Sequence, residues 1–89
     1  MTERELLIVN EKGLHARASA KFVEVVERFD ADAEVSKDGM AVSGDSIMGL
    51  LMLAASRGTS IRIVTSGAQA EALAQALAEL VADRFGEDF

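Results

Sequence analysis

The chain has 89 residues, 49% of them hydrophobic and 27% charged, with a formal net charge of −6 and no cysteine, tryptophan or tyrosine. That length holds one domain, residues 1–89, and the composition is that of a soluble globular domain rather than a disordered segment. A disulfide framework and a thiolate metal site are excluded, the acidic balance argues against nucleic acid, and no apolar run approaches the roughly 20 residues of a membrane span. The start, Met1-Thr2-Glu3-Arg4-Glu5, lacks the basic opening and long apolar stretch of a signal peptide, so a cytoplasmic location is expected.

In chain order, Glu5 to Val9 is a short apolar, partly β-branched run, read as a buried strand, and Asn10-Glu11-Lys12-Gly13 ends it in a loop. From Ala16 to Phe29 the residues Ala18, Phe22, Val25, Val26 and Phe29 recur at three- and four-residue steps, which predicts an amphipathic helix. Ala33 to Lys37 and Met40 to Ser43 alternate about Asp38-Gly39, a hairpin turn signal. Pairing across that turn sets Val35 opposite Val42 and puts Ala33, Val35, Met40 and Val42 on one face. Ile47 to Ala55 reads as an apolar helix, and Ser60 to Thr65 as a further strand with Ile61 and Ile63 inward. Ser66 and Gln69 have capping-box spacing ahead of a last helix, whose buried stripe is Leu73, Leu77, Leu80, Val81 and Phe85, with Gly86 as its stop. The order βαββαβα predicts an α+β fold, one sheet with three helices covering one face.

His15 is the only histidine, placed where a loop enters a helix. A helix's first turn leaves backbone N–H groups without intrahelical acceptors and carries partial positive charge, so Ala16, Arg17 and Ala18 form a cradle for a phosphate on His15. Taken alone, the position favours a surface or capping histidine of no special function. A catalytic triad and a metal site lack the necessary partners, and no metal or cofactor is expected.

Gly13-Leu14-His15-Ala16-Arg17-Ala18-Ser19-Ala20 closely resembles the phosphohistidine signature of the HPr family, phosphocarriers of the bacterial phosphotransferase system. Downstream, Ser46-Ile47-Met48-Gly49-Leu50-Leu51 resembles that family's regulatory-serine segment, and spacing and total length agree as well. The resemblance implies a two-layer open-faced β-sandwich with antiparallel sheet order 1-4-2-3. It implies that His15 takes a phosphoryl group on Nδ1 from phospho-Enzyme I and passes it to an EIIA-type acceptor, with Arg17 assisting. The domain is then a carrier rather than an enzyme, and monomeric. It also implies that Ser46, a good N-cap in its own right, is a target for an HPr kinase/phosphorylase.

A helix apolar all round is normally buried. The resemblance favours exposing one side, which assigns Leu50, Leu53 and Ala54 to the core and Ile47, Met48, Leu51 and Met52 to a partner-docking patch. Two positions depart from the family pattern: Ala18 stands where proline is usual, and Asp45 stands where many relatives carry a basic residue. Sugar uptake and a nitrogen-linked regulatory branch both fit. So does a regulatory binding module acting through phosphorylated Ser46 on a transcription factor. A small-molecule-binding α+β domain would leave the paired motifs unexplained.

Overall fold

A computed structural model describes residues 1–88. Strand β1 (Thr2–Leu7) leads through a loop to helix α1 (Ala16–Glu27), then to the hairpin β2 (Asp32–Lys37) and β3 (Met40–Ser43). A short helix α2 (Ile47–Met52), strand β4 (Ser60–Ser66) and helix α3 (Ala70–Ala82) follow, and a 3₁₀ turn, Arg84–Gly86, closes the order. The four strands form one antiparallel sheet in the order β1-β4-β2-β3, as expected from the family resemblance. Leu6 pairs with Ile61, Val35 with Ile63, and Val35 with Val42 across the predicted hairpin.

Alternation along the strands decides which face the helices cover. Leu6, Val35, Ile61 and Ile63 are buried, whereas Glu5, Glu34 and Arg62, which alternate with them, are exposed on the open face. The buried row meets Phe22, Val25 and Val26 of α1 and Leu73, Leu77 and Val81 of α3 in one core. Each such side chain contributes about 1.5–3 kcal/mol on burial, so this shared core, rather than helix propensity, holds α1 in place.

The sequence-based expectations need correction at several element ends. β1 runs earlier than the apolar stretch suggested and is buried on one side only: Leu6 and Ile8 are buried, while Leu7 between them is exposed. Met40, expected inward, is exposed, at the hairpin end of β3, a four-residue strand on the edge of the sheet. Helix α2 ends at Met52. Ala54, assigned to the core, takes a left-handed φ of 51° and is exposed, and Ala55 is buried in its place.

Ser66 and Gln69 do not form a capping box, since Ser66 still belongs to β4 and no side chain caps α3. The Gln69 Oε1 instead accepts from the Asp30 backbone N–H at 2.7 Å, tying the α1–β2 connection to the start of α3. Phe85 is buried as expected, but outside α3. The chain leaves the helix after Ala82 and turns back through left-handed conformations at Arg84 and Phe85.

Candidate functional site

The loop between β1 and α1 is fixed from both sides. Buried Asn10 donates through Nδ2 to the Gly13 carbonyl at 2.8 Å, and the Leu14 N–H donates to the Ala55 carbonyl at 2.9 Å. The second bond joins this loop to the segment that leaves α2. His15 is therefore delivered to the head of α1 on a short tether held at Asn10 and at Ala55.

His15 is the N-cap of α1, with extended backbone, and its Nδ1 accepts from the Arg17 backbone N–H at 3.3 Å. The first intrahelical bond is made by the Ser19 N–H to the His15 carbonyl at 2.8 Å. The N–H groups of Ala16, Arg17 and Ala18 precede that bond and so have no acceptor within the helix, and of the three the Arg17 N–H is the one bonded to Nδ1. The side chain of Arg17 is exposed and, among the described residues, has no ion-pair partner. It lines a cleft of about 310 Å³ together with Lys12, Lys21 and Glu87.

The other ring nitrogen has a partner from the far end of the chain. His15 Nε2 is hydrogen-bonded to Glu87 Oε2, and the second carboxylate oxygen, Oε1, accepts from Asn10 Nδ2 at 3.0 Å. Burial acts most strongly on the Glu87 carboxyl and pushes it up. The hydrogen bonds from Asn10 and His15, with the neighbouring His15 and Lys12 charges, together outweigh that and hold it below its ordinary value. An ionised carboxylate only accepts, so Nε2 is the ring nitrogen that donates to Glu87, while Nδ1 accepts from the Arg17 N–H. The arrangement thus leaves Nδ1 at the start of α1, facing the Arg17 N–H, with Nε2 turned to Glu87.

Glu87 reaches this position because the turn before it is anchored. Phe85 is fully buried, and Lys21 Nζ from α1 donates to the Phe85 carbonyl at 2.6 Å. Neither Asn10 nor Glu87 stood out in the sequence. Asn10 read as a loop residue and Glu87 as the tail beyond Gly86, and a separation of 72 positions between His15 and Glu87 gives no local pattern. The buried stripe ending in Phe85 was the one available signal that the tail returns to the body.

The remaining predicted residues lie nearby. Ser46 caps α2, its Oγ accepting from the Gly49 N–H at 3.0 Å. Ile47, Met48 and Met52 are exposed, Met48 by 69%, which makes it the most exposed of the three, while Leu51 is half-buried. Leu50 and Leu53 face the core, so α2 does present opposite apolar sides to protein and to solvent. α2 packs against α1, which brings this patch alongside the helix that starts at His15.

An open-faced α+β sandwich with one histidine capping α1, a cleft of mixed charge beside it and a short helix next door whose outer side is apolar and exposed has the build of a small carrier domain. The comparisons agree. Residues 2–83 match the family model for the PTS HPr component phosphorylation site. The chain is 46% identical over 88 residues to phosphocarrier protein HPr of Xylella fastidiosa (strain 9a5c), covering 99% of each chain. It is 36% identical over 85 residues to phosphocarrier protein NPr of Shewanella violacea, covering 96% of this chain and 93% of that one. The crystal structure of HPr from Thermoanaerobacter tengcongensis superposes with a TM-score of 0.94 at 36% identity, covering 100% of both chains. The chain belongs to the HPr family of phosphocarrier proteins of the phosphotransferase system.

Proposed function

We propose that His15 is the phosphoryl relay point, taking the group from phospho-Enzyme I on Nδ1 and handing it to an EIIA-type acceptor. The observation that supports this most is the division of labour on the imidazole: Glu87 holds Nε2, and Nδ1 faces the Arg17 N–H in the first turn of α1. In the uptake step the Nδ1 lone pair bonds to phosphorus as the donor's nitrogen–phosphorus bond breaks and its electron pair returns to the donor. The phosphoryl oxygens then meet the N–H groups of Ala16, Arg17 and Ala18 and the Arg17 guanidinium, which spread their charge. Delivery is the same step reversed toward the acceptor.

The exposed side of α2 supplies docking. Ile47, Met48 and Met52, with Leu51 at their border, give an apolar surface that flexible methionine side chains adapt to more than one partner. Met48→Asp is expected to raise the KM for Enzyme I about tenfold, as loss of a docking anchor does. Its melting temperature should stay within a few degrees of wild type, because this side chain is mostly in solvent. Unchanged transfer kinetics would remove the patch from the reading.

Ser46 is the proposed site of control by an HPr kinase/phosphorylase. Its hydroxyl sits at the start of α2, next to Ile47 and Met48, so a phosphate there would add about two negative charges beside the docking surface. The same change would suit recruitment of a regulatory partner through phosphorylated Ser46.

Incubation with phosphoenolpyruvate and Enzyme I, followed by peptide mapping, tests the relay. Label should be acid-labile, alkali-stable and confined to the peptide carrying His15. Acid-stable label on a serine, or no label, would overturn it.

A further inference from the structure

Asn10 is fully buried, and among the described residues its Oδ1 is the one buried side-chain polar atom without a hydrogen-bond partner. Its amide hydrogens are committed to the Gly13 carbonyl and Glu87 Oε1 instead. An asparagine kept in the interior with an unpaired oxygen needs a reason beyond closing a loop. The Gly13 bond alone would serve the loop; the second bond serves Glu87.

We propose that Glu87, oriented by Asn10, is a positioning residue for phosphoryl transfer: it fixes the His15 ring through Nε2 and balances the positive charge that the ring acquires when Nδ1 is phosphorylated. This rests on the reading of Nδ1 as the acceptor. When the neutral ring, protonated at Nε2, forms its Nδ1–phosphorus bond, the donor's nitrogen–phosphorus bond breaks and the electron pair leaves with the donor. The proton stays on Nε2, so the ring becomes an imidazolium. Its new charge faces the Glu87 carboxylate across the existing hydrogen bond. On delivery the Nδ1–phosphorus bond breaks, the pair returns to Nδ1, and the ring is neutral again.

The surroundings keep the carboxylate in place for this task. Lys12, Arg17 and Lys21 line the cleft with Glu87, together with the acids Glu11 and Asp88. Lys21 is engaged with the Phe85 carbonyl, and Asn10 with Glu87 itself. Among the residues around the cleft, Glu87 is the acid that contacts the ring directly. Its side chain is 16% exposed, which limits the water available to replace it.

Glu87→Gln retains the shape and removes the charge. Relative to wild type, kcat for uptake from phospho-Enzyme I should fall roughly tenfold at unchanged KM, the size expected for loss of one charge-assisted hydrogen bond. The equilibrium between phosphorylated donor and carrier should shift toward the donor in the same direction. In the unphosphorylated protein, ¹⁵N spectra of histidine-labelled samples should show wild-type Nε2 protonated and its resonance displaced in the variant. Asn10→Ala should move the same readings in the same direction by less, since Glu87 then keeps its charge and loses its orientation. Unchanged kcat and equilibrium, with label still on His15, would overturn this inference and leave the relay reading standing. A rise in KM alone would place Glu87 in docking and also overturn it. Failure of the relay reading itself would show differently, as wild-type label away from His15.

Discussion

A His15→Ala variant is expected to take up no acid-labile phosphate from Enzyme I, a loss far larger than any change in its stability. The structural cost of that substitution has two parts. His15 caps α1 through Nδ1, and removing a capping side chain costs about 0.5–2 kcal/mol. Glu87 Oε2 also loses its partner, although Asn10 still holds Oε1. The domain should remain folded, because Leu14, Ala18 and Phe22 around the site stay buried in the core. His15→Asn sharpens the distinction. Asparagine is among the best N-caps, so this variant should regain most of the lost stability and none of the phosphate uptake. Chemical denaturation alongside labelling checks both halves. Label on the asparagine variant at the wild-type level would remove His15 from the chemistry.

How much of this was legible in the sequence depends on the range of the interaction involved. The α1 stripe and the Asp38-Gly39 hairpin were readable because periodicity and turn chemistry act within a few residues, and Val35 does pair with Val42. The predicted side assignment of α2 holds at Leu50, Leu53, Met48 and Met52 and fails at Ala54. There the helix ends early and the Ala55 carbonyl meets the Leu14 N–H, a contact between residues 41 positions apart in the chain. Ser66 and Gln69 had the right spacing for a cap, but strand pairing of Ser66 with Asp32 claims that backbone first. At the site, the start of α1 at His15 followed from that residue and its neighbours alone. The Asn10–Glu87 pair did not, because its meaning arises only when the buried Phe85 turns the end of the chain back across the first loop.

That same loop carries the largest expected effect on stability. Gly13 has a φ of +66°, and a Cβ added there would stand 2.5 Å from the Ala55 carbonyl oxygen and 2.9 Å from Ser56 Cα. Both neighbours are backbone, so no side chain is free to move aside. Gly13→Ala therefore adds a left-handed alanine, which costs roughly 1–2 kcal/mol, and forces apart the two segments joined by the Leu14–Ala55 hydrogen bond. Loss of that bond and of the packing behind it brings the total to about 3 kcal/mol or more. For a domain of this size that corresponds to a fall in Tm of roughly 10–25 °C. Gly58→Ala is the matched control: its φ of +88° is equally left-handed, but nothing lies within 4 Å of the added Cβ. It should therefore show the backbone strain without the collision. Equal destabilisation of the two variants in thermal unfolding would mean that φ alone governs Gly13. A much larger loss at Gly13 assigns the difference to the close approach between the loop before His15 and the Ala55–Ser56 backbone.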